Sequence, residues 1–110
     1  NSFDMIISTV NVTLDWAAYL GTLAPKGRLH FVGLTLEPLS IGVSSLMSKQ
    51  LSVSSSPIGS PTTIAEMLKF ATRHNIKPVT ETFAFKDINK AIDHLRSGNA
   101  RYRVVLAHEL

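Results

Sequence analysis

The run Arg28-Leu29-His30-Phe31-Val32-Gly33-Leu34 constrains this chain more than any other stretch. It is short, apolar and rich in strand formers, entered through the turn signal Pro25-Lys26-Gly27 and left through Gly33. A similar run precedes it at residues 3–10, and a third, serine-rich and alternating, follows at residues 51–55. A helical segment separates the first two. Strand, helix, strand, strand is the order of an α/β fold with a parallel sheet, and it predicts a middle strand buried on both faces. Ligands in such sheets sit outside the carboxyl ends of the strands. The positions to watch are therefore Val32, Gly33 and Leu34, with the matching ends at residues 8–10 and 54–56.

A chain of 110 residues is one domain or a piece of one. With 45% hydrophobic and only 17% charged residues it has the material for a core, unlike a disordered tail. Its net charge of +3 comes from singly scattered basic residues, with no run suited to phosphates of nucleic acid. Zero cysteines exclude a disulfide framework and a thiolate metal site, and point to a reducing, cytoplasmic setting. No apolar run approaches the ~20 residues that span a bilayer, so no membrane partner is expected. The chain enters its first strand almost at once, through Asn1, Ser2, Phe3 and Asp4, as a cut inside a larger domain would.

After the first strand, Asn11 to Thr13 read as a turn, with a helix beginning near Leu14. Trp16, Ala17, Leu20 and Leu23 recur at helical spacing and mark its buried face. On that stripe Trp16 reads as core, not as a stacking platform. The helix is expected to stop before Pro25, with Gly27 turning the chain into the strand at residues 28–34. Residues 40–49 suit a short helix or irregular turn. Ser60 before Pro61 is a helix cap followed by proline in the first turn, and the helix should run to about Asn75. Its apolar stripe is Ile64, Met67, Leu68 and Ala71. Alternation from Val79 to Phe85 predicts a strand with one exposed face. A helix to Arg96 follows, with Ile88, Ala91, Ile92 and Leu95 inward and Gly98 as its stop, and a last strand at residues 102–106.

The common catalytic constellations are missing. The four histidines, at positions 30, 74, 94 and 108, have no metal-ligand spacing. There is no G-x-G-x-x-G, P-loop or G-x-S-x-G. The carboxylates stand at helix starts and on exposed faces, where solvation accounts for them.

Several stretches nevertheless resemble one family. They are residues 3–10, Asp15-Trp16, Leu23-Ala24-Pro25-Lys26-Gly27-Arg28, Val32-Gly33, Gly59-Ser60-Pro61 and Glu66-Met67-Leu68, then His74-Asn75-Ile76-Lys77-Pro78, Ile88-Asn89-Lys90-Ala91 and the segment from Ala100 to Leu106. In order and spacing they are similar to the C-terminal portion of zinc-dependent medium-chain alcohol dehydrogenases, above all the cinnamyl-alcohol-dehydrogenase-like aldehyde reductases. The resemblance implies the second half of a Rossmann-type parallel sheet, at residues 1–60. A helix and strand–helix–strand segment returning to the catalytic domain would follow at residues 61–110, the two forming one compact unit. The glycine-rich pyrophosphate turn, the residue choosing between NAD and NADP, and all zinc ligands would lie upstream. Zinc and the dinucleotide would belong to the parent enzyme, with weak or absent cofactor binding here.

By the same resemblance, backbone at Val32, Gly33 and Leu34, then at Ser55 and Ser56, would hold the nicotinamide carboxamide. Thr9 and Val10 would border the adenosine side. Arg103 matches a late arginine that approaches the pyrophosphate, as a guanidinium can by forking onto phosphate oxygens. Gly33 also reads simply as a strand breaker, and Arg103 as a solvated residue guarding a sheet edge. Ser55 departs from the family pattern, where glycine lets backbone approach a ligand closely.

Two function classes follow. One is a fragment of an NAD(P)-dependent zinc oxidoreductase, inactive alone. The other is a truncated, non-catalytic interaction or oligomerisation module. A zinc-independent quinone reductase relative is disfavoured by the matches at residues 66–68 and 101–103. Either class predicts self-association through open sheet edges at residues 3–10 and 51–55, the latter pairing across a two-fold in the family.

Overall fold

The computed structural model describes residues 2–108, so the first residue of the expected cut, Asn1, lies outside it. The chain divides into two compact units, Asn1–Ile58 and Gly59–Leu110.

The first unit is a three-stranded parallel sheet in the order β1-β2-β3. Strand β1 is Phe3–Ser8, helix α1 is Trp16–Thr22 and β2 is Leu23–Phe31. A short helix α2, Val43–Met47, precedes β3, Ser52–Ser55. Asp15 caps α1, its Oδ1 accepting the Ala18 N–H at 3.1 Å, which places the helix start two residues beyond Leu14. Trp16 and Leu20, one helical turn apart, descend onto Leu29 and Phe31 of β2, and Leu23 and Leu51 complete the core. The Trp16 ring meets Phe31 edge-on, with centroids 4.8 Å apart, as a core residue does. Burying side chains of this size stabilises by roughly 1.5–3 kcal/mol each.

Strand β2 departs from expectation at both ends. It starts directly at the end of α1, and Pro25, Lys26 and Gly27 lie inside it as an irregularity of the pairing with β1. Lys26 has φ 64, and its N–H donates to Lys49 O, so the turn residues were absorbed as a kink within the strand. At the other end β2 stops at Phe31, because Val32 and Gly33 both turn their N–H groups onto Ser8 O. Strand β1 likewise ends at Ser8, not at Val10.

The middle strand is not buried on both faces. Its Leu29 and Phe31 are buried under α1, but Arg28 is exposed and His30 half-buried. On the same open face, residues Met5 and Ile7 of β1 remain 48% and 57% exposed. The helix-covered face is the only one for which this unit carries enough apolar cover among the described residues.

The second unit begins with α3, Pro61–Arg73, capped as the sequence predicts: Ser60 Oγ accepts the Thr63 N–H at 3.2 Å, and Pro61 occupies the first turn. The Ile64, Met67 and Leu68 part of its apolar stripe is exposed. Strand β4, Thr80–Ala84, a 3₁₀ turn at Phe85–Asp87, helix α4, Ile88–Arg96, and strand β5, Arg103–Ala107, complete it. Strands β4 and β5 pair in parallel, with Thr80 opposite Arg103. Ala91 is the buried residue of α4, while Ile92 and Leu95 of the expected inward stripe are exposed. Gly98, at φ +74, ends that helix in a conformation that favours glycine.

Candidate functional site

Four of the positions singled out in the sequence meet at the carboxyl ends of β1 and β2. The chain turns after Phe31 so that Val32 N and Gly33 N donate to Ser8 O at 3.0 and 3.1 Å. That fold-over presses Gly33 against the end of β1. A Cβ on Gly33 would lie 2.3 Å from Val10 O and 2.6 Å from Thr9 C. Glycine here is a matter of contact with backbone, beyond ending a strand.

Leu34 and Ser55 join the same region. They line an open groove of about 580 Å³ with Phe31, Gly33, Val53, Ser54 and residues 35–39. Thr9 and Val10 line a smaller cleft of about 130 Å³ with Leu14, Trp16 and Tyr19. Ser8 Oγ and Trp16 Nε1 are buried beside that cleft without a hydrogen-bond partner among the described residues.

Ser56 stands apart. Its N–H donates to Phe31 O at 3.2 Å, extending the ladder, and its hydroxyl lies 2.9 Å from His30 Nε2. The other ring nitrogen, Nδ1, is 2.8 Å from Ser54 Oγ. His30 thereby stitches β2 to β3 across the open face, a role that three alternate serines and one histidine opposite them could have signalled.

Arg103 belongs to the second unit. It opens β5, is exposed, and among the described residues its guanidinium has no hydrogen-bond or ion-pair partner. Arg101, by contrast, folds its guanidinium back onto the carbonyls of Gly98 and Ala100.

Glu81 corrects the expectation that solvent accounts for the carboxylates. Its Oε2 accepts a hydrogen bond from His94 Nε2 at 2.6 Å, and its Oε1 accepts the backbone N–H of Arg101. The Arg101 N–H is the main reason the Glu81 carboxyl is held below its ordinary value; burial works against it, and His94 and the Arg101 charge add to it. The signal was present in the sequence. Glu81 and Phe83 share one face of an alternating strand, and His94 follows the buried Ala91 by three on α4. The Phe83 and His94 rings lie 5.6 Å apart.

No group of three or more His, Cys, Asp or Glu residues that could hold a metal ion occurs among the described residues. The residues present therefore do not fit a zinc site. No helix among them is long and apolar enough to cross a membrane.

The model of the zinc-binding dehydrogenases matches residues 1–73, about two thirds of the sequence. The chain belongs to that family. It matches the C-terminal part of a zinc medium-chain alcohol dehydrogenase, in the NADP-binding, Rossmann-like half. An aldehyde reductase, AdhA, of Synechocystis sp. is 62% identical over 106 residues, which is 96% of this chain and 32% of that protein. NADP-dependent alcohol dehydrogenase C 1 of Mycolicibacterium smegmatis is 34% identical over 105 residues, covering 96% of this chain and 30% of its own length. Among solved structures, a cinnamyl alcohol dehydrogenase from Sorghum bicolor superposes with a TM-score of 0.85 at 28% identity, over 96% of this chain and 30% of that one. The Helicobacter pylori enzyme complexed with NADP(H) gives 0.77 at 34% identity, over 94% and 30%. The chain thus spans about a third of the length of these dehydrogenases.

Proposed function

We propose that this chain forms the nicotinamide-side part of an NADP-dependent oxidoreductase acting on an alcohol–aldehyde pair, and that by itself it does not turn over. The observation that carries the reading is the convergence of Thr9, Val10, Val32 and Gly33 at the ends of two parallel strands. Beside them lies an open groove lined by Leu34 and Ser55. Backbone groups of Val32, Gly33, Leu34, Ser55 and Ser56 would hold the carboxamide, and Thr9 and Val10 would border the adenosine side. In the second unit, taken by itself, Arg103 is read as a phosphate-binding residue. The cofactor, when bound, supplies the hydride; these residues bind and orient it. The relatives named for NADP favour that dinucleotide over NAD. A cytoplasmic location suits a chain without cysteine.

In this reading residues 1–60 belong to the dinucleotide-binding domain and residues 61–110 to the catalytic domain. NADPH affinity of the chain alone is weak, because no glycine-rich turn at a helix N-terminus anchors the pyrophosphate. Titration calorimetry of the chain with NADPH is the test. Micromolar affinity or weaker is expected, and submicromolar binding would overturn this part of the reading.

The position of β1 and β3 at the two edges of the sheet favours a second role, self-association through those open edges. A small core with few buried residues gains stability from such added contact.

A further inference from the structure

We infer that Glu81 is a positioning residue for Arg103, fixing the loop that delivers the Arg103 guanidinium to a phosphate-bearing ligand. The inference rests on the reading of Arg103 given above and adds a residue to it.

The geometry runs through three elements of the second unit. Glu81 is the second residue of β4, and one of its carboxylate oxygens holds His94 of α4 at 2.6 Å. The other accepts the N–H of Arg101, in the loop between α4 and β5. Two residues later the chain reaches Arg103, where β5 begins. Tyr102 N and Arg103 N both donate to Val79 O, at 3.3 and 3.2 Å, so this segment is gripped by the carbonyl of the residue just before β4 and by the Glu81 side chain. The rest of the loop is held by its own residues and by the last turn of α4. Ser97 Oγ donates to His94 O, the Asn99 N–H donates to Ser97 Oγ, and Arg101 Nη1 donates to Gly98 O and Ala100 O.

Glu81 is thus the side chain that ties this loop to the strand beside Arg103. His94 in turn fixes the carboxylate, since a carboxylate held by two donors has little freedom to swing. The charges around it are consistent with that role. His94 and Arg101 face Glu81, and Arg101 spends its guanidinium on the loop, which among the described residues leaves Arg103 as the cation available to an anion at the start of β5. A guanidinium recognises phosphate through paired donors in a fixed plane, so an error in the strand start is carried directly into that geometry.

The test uses the 110-residue chain, labelled with nitrogen-15 and titrated with inorganic pyrophosphate while the backbone amide resonances at the start of β5 are followed, together with the Arg103 Nε–H resonance where position 103 is arginine. Arg103→Ala should abolish saturable binding. Glu81→Ala and Glu81→Gln should weaken it by roughly two- to tenfold, the scale of ordering one side chain at a binding site. Neither change should alter the residual response once Arg103 is alanine. A purely structural Glu81 would instead lower the unfolding midpoint with no coupling to position 103. Should Glu81→Ala fail to fold, the isosteric Glu81→Gln carries the comparison. No pyrophosphate-dependent shift at Arg103 in the parent chain, or unchanged binding by Arg103→Ala, would refute the Arg103 reading and this inference with it. Loss of binding by Arg103→Ala, with both Glu81 variants within twofold of the parent, would leave Arg103 in place and overturn the inference alone.

Discussion

Gly33 shows how a residue with no side chain becomes the most constrained position of the candidate site. The space its Cβ would need is filled by the carbonyl of Val10 and the backbone of Thr9. Backbone cannot rotate away as a flexible side chain can. Gly33→Ala should therefore destabilise the chain by about 1–3 kcal/mol, the range for overpacking. Urea unfolding measures it, and an unchanged midpoint would mean the strand ends are not in contact. Glu81 makes a prediction in pH. Its folded carboxyl is held below the ordinary value of 4.5, chiefly by the Arg101 N–H. The unfolded state then binds the proton first, so the stabilisation is whole above 4.5 and is lost as pH falls through the lowered folded value. Melting temperature followed from neutral to acid pH should drop in that window, and Glu81→Gln should flatten part of the drop. Equal acid sensitivity in both chains would remove Glu81 from the account.

At the scale of the elements, β3 offers a way to separate the two open edges. The Ser56 N–H points toward β2, onto Phe31 O, and backbone donors alternate in direction along a strand. By that alternation the Val53 N–H faces outward, away from β2. A proline at Val53 therefore removes an outward donor while leaving the pairing with β2 in place. If copies associate through β3, Val53→Pro should convert dimers into monomers at micromolar concentration in sedimentation. Dimers that persist in a folded variant would assign the contact to the edge of β1, the other outer strand of the sheet. A monomeric parent chain would remove both edges from consideration.

For the whole molecule, the decisive fact is proportion. The chain spans about a third of the dehydrogenases it matches, and its residues offer no metal-holding group among those described. An aldehyde carbonyl polarised by zinc needs ligands that these residues do not form. The purified chain should consume no NADPH with an aldehyde, with or without added zinc. Zinc-dependent turnover by homogeneous chain would contradict the proposed function directly.

Element type and order were written locally, in hydrophobic period, turn residues and caps. Ser60 before Pro61 specifies its helix start through one side-chain oxygen and one ring, and the structure has both where the sequence places them. The family resemblance was equally legible, because it lies in the order of short motifs. Strand ends were not. Phe31 ends β2 because Val32 and Gly33 find Ser8 O, a carbonyl more than twenty residues away, and no local pattern carries that pairing. Pro25 and Gly27 look like a turn in isolation, yet the neighbouring strand takes them up as a kink. Glu81 looks solvated until β4, α4 and the loop before β5 come together around it. Periodicity and capping act within a few residues and are read from sequence; shared carbonyls, close backbone approach and a carboxylate between two elements exist only once distant segments meet.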